Sequence, residues 1–78
     1  MRVTYDGQAN AAYIYLKPTI EPGEATRTYV CDLGKEGFGL EVGVNLDFDV
    51  SGRLIGIEVL HASHGLPWEF LQRAEVIG

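Results

Sequence analysis

The segment from Gly43 to Leu60 constrains the fold more than any other part of the chain. Val44, Leu46, Phe48 and Val50 alternate with Gly43, Asn45, Asp47 and Asp49, the period of two of a strand with one buried face. Val50-Ser51-Gly52 is turn chemistry, with a glycine available for a positive φ. Arg53 to Leu60 then forms a second strand rich in β-branched residues. A hairpin of this kind commits the chain to sheet structure, and Ile57 is expected deep in the core.

The remaining segments extend the sheet. Arg2 to Asp6 is a short strand, and Asp6-Gly7-Gln8-Ala9-Asn10 is a turn. Ala11 to Leu16 is a second strand, with Ala12, Ile14 and Leu16 on one face and Tyr13 and Tyr15 on the other. Lys17 to Glu24 is a loop marked by Pro18, Pro22 and Gly23. Ala25 to Cys31 is a third strand, and the glycine-rich stretch Asp32 to Gly39 is expected to be a mobile excursion. From Leu66 the period changes. Leu66, Phe70, Leu71 and Ala74 fall near helical spacing. Pro67 and Glu69 suit a first turn, so one helix is expected over Pro67–Ala74. The fold class is α+β: a small antiparallel β-sheet of four to five strands, hairpin-built, with one C-terminal helix packed on one face.

A chain of 78 residues makes a single domain, 1–78, with a marginal core. Cys31 is the one cysteine, so no disulfide staples the chain internally, and a lone thiol suits a reducing cytoplasm. Met1-Arg2-Val3-Thr4-Tyr5-Asp6 reads as a strand start rather than a signal peptide, and no apolar run approaches the roughly 20 residues of a bilayer span. The expected location is cytoplasmic, with no membrane partner. The formal net charge of −5 repels phosphate backbones, so no nucleic acid is expected to bind the chain by itself. The same charge suits a basic protein partner as well as plain solubility.

Val3-Thr4-Tyr5-Asp6 parallels Leu46-Asp47-Phe48-Asp49, and Ile14 and Leu16 then fall opposite Ile57 and Val59 without a gap. Strand–turn–strand units share such a pattern without common origin, and that is the reading preferred here over a duplication.

Tyr5-Asp6 followed by Ala9, Ala12, Tyr13, Ile14 and Leu16 resembles the start of domain-of-unknown-function family 2283. Asp47, Gly52, Arg53, Leu54, the block Gly56-Ile57-Glu58-Val59-Leu60 and the step Ala62-Ser63 resemble its second signature. The resemblance runs from Arg2 to about Leu66. The stretch Asp32 to Glu41 looks longer than the usual connection, and His64 to Gly78 lies outside the signature. The resemblance implies a small prokaryotic protein of unassigned activity. Some members occur beside genes resembling mRNA-interferase-type toxins, which implies an antitoxin-like role for a subset. It supplies no catalytic residues.

Several residues invite a chemical role. Asp47 and Asp49 lie two apart on a strand and project from one face, but a metal needs more oxygen ligands than two. Asp49 is expected to cap its turn through Ser51 or Gly52, and Asp47 to face water. Glu58 is expected to pair with Arg27 or Arg53 rather than to act as a perturbed acid. His61, His64 and Cys31 fall short of a four-ligand zinc set. Ser63 lacks the Gly-x-Ser-x-Gly elbow of a hydrolase and suits a turn or helix cap. Cys31 reads as a small apolar strand residue. Gly37-Phe38-Gly39 matches no phosphate-binding loop. No catalytic, metal or cofactor residue is assigned.

Apolarity on both sides of the sheet remains. Ile14 and Leu16 oppose Tyr13 and Tyr15, while Ile55, Ile57 and Val59 oppose Leu54 and Leu60. One short helix covers one face, so the other should be a contiguous apolar patch needing a cover. The interface candidates are Tyr13, Tyr15, Leu54 and Trp68, Trp68 serving equally well in the core. The expected function is a non-enzymatic interaction module that associates with itself, as a dimer or higher oligomer, or with a basic protein partner. The alternatives are an antitoxin-like protein acting on an mRNA-interferase-type toxin, and a small ligand-binding protein or enzyme using Glu58, His61 or Asp47.

Overall fold

Six strands form one mixed sheet in a computed structural model that describes residues 1–32, 35 and 43–78. In chain order these are β1 (Arg2–Asp6), β2 (Ala11–Tyr15), β3 (Arg27–Asp32), β4 (Gly43–Phe48) and β5 (Leu54–Leu60), then helices α1 (Ala62–Gly65) and α2 (Trp68–Leu71), and finally β6 (Glu75–Ile77). The order across the sheet is β3-β4-β5-β2-β1-β6. The expected excursion Asp32–Gly39, with Gly37-Phe38-Gly39, lies outside the described residues apart from Asp32 and Lys35.

Two expectations about this architecture need correction. The sheet is not purely antiparallel, because β6 pairs in parallel with β1, Tyr5 opposite Val76. Three residues are too few to display a strand period, which is why β6 is invisible in the sequence. The single helix is also replaced by two four-residue helices. Leu66, immediately before Pro67, is extended at φ −121° and ψ 146°, as the ring of a following proline requires. Pro67 then leads into α2. Beyond Leu71 the expected helix gives way to turns, with Arg73 N–H donating to Phe70 C=O at 3.2 Å and Ala74 N–H to Leu71 C=O at 3.1 Å.

The β4–β5 hairpin forms as its pattern dictates. Gly52 sits at φ 85° in its turn, and Asp49 Oδ1 accepts the Ser51 and Arg53 backbone N–H groups, each at 2.9 Å. The β1–β2 turn repeats this device: Asp6 Oδ1 accepts Gln8 N–H at 3.0 Å and Ala9 N–H at 3.2 Å. The correspondence extends to the strand registers. Val3 opposes Ile14 as Leu46 opposes Ile57, and Thr4 opposes Tyr13 as Asp47 opposes Gly56. Ile14 and Ile57 then face each other where β2 meets β5. The two hairpins are therefore related by a local two-fold through that central pair, until a register shift at Asp47/Phe48 breaks the match. Two strand–turn–strand units of equal length that pair through their inner strands give such matched registers without common origin.

The helices pack on the face that carries Ala12 and Val59. Ala12, Val59, Ala62 and Leu71 form the buried cluster, with Tyr5, Val44, Ile57 and Leu66 against it. Alanines at positions 12 and 62 let α1 approach the sheet closely. Asn10 locks that approach: at φ 52° its carbonyl accepts Ala62 N–H at 2.9 Å. Its side chain donates to Ser63 Oγ at 2.9 Å and accepts from Tyr5 Oη at 2.8 Å. Ser63 thus belongs to a latch between α1 and the β1–β2 turn. Ile57 is only half-buried, whereas its neighbours Ile55 and Val59 are each 5 % exposed. Among the described residues no large side chain is completely buried.

Candidate functional site: the open face of the sheet

The face opposite the helices is built from the alternate residues of each strand. The registers arrange them in cross-strand rows. One row reads Arg2, Tyr15, Gly56, Asp47, Thr28; the next reads Thr4, Tyr13, Glu58, Asn45, Val30. This composition overturns the expected contiguous apolar patch. Two carboxylates, an amide and Thr28, with Thr4 buried in the same row, occupy a face that Tyr13, Tyr15, Leu54 and Leu60 suggest is apolar.

Tyr13 organises the centre. Its Oη donates to Asp47 Oδ2 at 2.6 Å, and Thr28 Oγ1 donates to Asp47 Oδ1, also at 2.6 Å. Asp47 therefore does not simply face water. The Tyr13 ring reaches Asp47 by crossing Gly56, where a Cβ would lie 2.6 Å from Tyr13 Cζ and 2.7 Å from Cε1. Burial, then the hydrogen bond to the Asp47 carboxylate and its charge, raise the Tyr13 pKa well above the ordinary phenol value. Tyr13 is consequently a neutral donor at physiological pH. It is ill-suited to act as a base or nucleophile.

Glu58 accepts from Asn45 Nδ2 at 2.8 Å, not from Arg27 or Arg53 as expected. Arg27 opposes Phe48 and so projects from the other side of the sheet. Arg53 precedes β5 and pairs with Asp49 at 3.8 Å. Arg2–Glu75 and Lys17–Glu24 are further ion pairs. Asp47 and Glu58 are thus held by the neutral donors Tyr13, Thr28 and Asn45. Asp47 and Asp49 do not act together, since Asp49 is committed to its turn. The turn's backbone N–H groups, Arg53's first, hold the Asp49 carboxyl below the usual range.

Of the interface candidates, Tyr13 and Tyr15 lie together, ring centroids 4.8 Å apart, with the Arg2 guanidinium 4.6 Å above the Tyr15 ring. Leu54 heads β5 beside the register shift and is 37 % exposed. Trp68 is 68 % exposed on α2, which excludes the core role considered for it and separates it from the two tyrosines. Cys31 is half-buried on β3 opposite Val44. His61 precedes α1 at φ 54° and His64 lies within it. Among the described residues no three His, Cys, Asp or Glu side chains gather to hold a metal ion.

What the arrangement can do chemically is present negative charge next to aromatic rings. Thr28, Asn45 and Gly56, which make this possible, were not legible as site residues, because their roles depend on cross-strand register.

A small mixed sheet, partly covered by two short helices on one face and carrying an acidic and aromatic surface on the other, is the class of protein defined by this fold. The chain belongs to the DUF2283 family of proteins of unknown function, whose model matches residues 2–63. Curated proteins and solved structures gave no match. Tyr13, Asp47, Gly56 and Glu58, all within the sequence blocks that carried the resemblance, meet on the open face. No helix among the described residues is long and apolar enough to cross a membrane.

Proposed function

We propose that the chain is a non-enzymatic protein–protein interaction module whose open sheet face receives a basic segment of a partner protein. The observation that carries this reading is that Asp47 and Glu58 are hydrogen-bonded by the neutral donors Tyr13, Thr28 and Asn45. Carboxylates beside tyrosine rings suit lysine and arginine side chains, through charge and cation–π contact together. The net charge of −5 favours encounter with such a partner.

Calorimetric titration with an arginine-rich peptide tests the proposal. Wild type should bind, and Asp47→Asn/Glu58→Gln should bind at least tenfold more weakly, about 1.4 kcal/mol. A charge-matched control, Glu21→Gln/Glu69→Gln, should bind as wild type. Equal weakening in both variants would reduce the effect to overall acidity and defeat the reading.

A more specific second reading is antitoxin-like neutralisation of a basic mRNA-interferase-type toxin, favoured by the same two carboxylates. Co-expression with a toxin-like gene adjacent in the genome separates it from the general case: survival dependent on Asp47 and Glu58 supports it.

A further inference from the structure

The sheet ends in two edges of unequal length. β6 offers three residues. β3 offers six, Arg27–Asp32, and among the described residues it has a neighbour, β4, on one side only. Natural sheets blunt such an edge with a proline, a lysine, a bulge or brevity. β3 carries no proline or lysine, and its charged residues, Arg27 and Asp32, stand only at its two ends. Instead Tyr29 is 62 % and Val30 66 % exposed. By alternation they stand on opposite faces, so an added strand would cover both.

We propose that β3 pairs antiparallel with β3 of a second copy, about a two-fold axis at Tyr29, joining two sheets into one. This surface is separate from the open face, and the inference goes beyond the binding of a basic partner. Symmetry limits the register. An antiparallel two-fold perpendicular to the sheet must set one residue against itself. With Tyr29 at the axis, Tyr29 meets its own copy, Thr28 meets Val30 and Arg27 meets Cys31. The first two are an aromatic pair and a β-branched pair, of the favourable kind. Arg27 falls diagonally beside the second Tyr29 ring, within reach of a cation–π contact. It is the one charged residue of the five, and its two copies lie at opposite ends of the pair, so no like charges face each other.

A second copy suits the edge better than a head-to-tail chain. Pairing β3 with β6 would use three residues at most, whereas β3 with β3 closes as a dimer. A single strand pair buries less than the roughly 1,600 Å² of a standard interface, so the dimer is dissociable and depends on concentration. A core in which no large side chain among the described residues is completely buried is the kind that gains from such a partner.

Light scattering across a concentration series tests self-association. The mass should rise from 8.6 kDa towards twice that value, and Tyr29→Lys, which opposes two cations at the axis, should hold it at the lower value with an unchanged circular dichroism spectrum. Disulfide trapping reads the register. In a Cys31→Ser background, Tyr29→Cys should cross-link under mild oxidation and Thr28→Cys should not. A wild type that stays at 8.6 kDa at every concentration, a dimer that survives Tyr29→Lys, or cross-linking through Thr28→Cys but not Tyr29→Cys would each overturn the proposal. None of these results bears on whether the open face binds a basic peptide, so the two ideas fail separately.

Discussion

The ring of Tyr13 lies across the backbone of Gly56, in the space that any other residue at position 56 would need for its Cβ. The hydrogen bond from Tyr13 to Asp47, 34 residues away in sequence, depends on that missing atom. A methyl group on Gly56 must push the ring aside, because the nearest ring carbons would be 2.6–2.7 Å away.

Gly56→Ala should therefore destabilise the fold by about 1–3 kcal/mol through overpacking and loss of the Asp47 contact. In a Tyr13→Ala background the same substitution should cost little, since the ring is gone. Urea unfolding of the four proteins of this cycle gives the coupling directly. Additive costs would mean that the ring and the glycine do not constrain each other.

Alkaline stability should report on Tyr13. Its pKa is raised in the folded protein, so its contribution is complete below the ordinary phenol value of about 10. It is lost as pH rises from there through the higher folded value. Denaturant midpoints measured from pH 8 upward should fall more steeply for wild type than for Tyr13→Phe. Parallel curves would show that the phenol proton is not linked to folding.

The acid side should report on Asp49 and Glu24. Both carboxyls are held below their usual range in the folded protein, Asp49 chiefly by the Arg53 backbone N–H and Glu24 chiefly by Lys17. Their stabilisation is present above the ordinary carboxylate value and disappears as pH falls through the depressed folded values. Between pH 6 and pH 2, Asp49→Asn should lose less stability than wild type. The same loss in both would remove Asp49 from the explanation of acid unfolding.

The hairpin Gly43–Leu60 and the strands before it were legible because alternation, turn residues and β-branched composition agreed. The local two-fold is visible only in the registers, where Val3 opposes Ile14 as Leu46 opposes Ile57. β6 was too short to carry a period. The helix prediction treated Pro67 as a start signal but missed that Leu66, held extended before it, divides one helix from another. At the candidate site, the apolar ring of Tyr13 is legible in the alternation, whereas its hydroxyl contact with Asp47 depends on cross-strand register. Glu58 was assigned a cation because charge pairing is the commonest solution for a carboxylate among apolar neighbours, yet Asn45 stood directly opposite it in the register. Trp68 shows the limit of composition: nothing in its sequence neighbourhood decides between burial and exposure.

Backbone amide shifts followed by NMR during titration with an arginine-rich peptide test the central claim most directly. The account predicts that the largest changes fall on Tyr13, Tyr15, Asn45, Asp47 and Glu58, on the open face, and that they vanish in Asp47→Asn/Glu58→Gln. Changes centred instead on the exposed acidic residues Glu21, Glu69 and Glu75, with the open face unmoved, would contradict it.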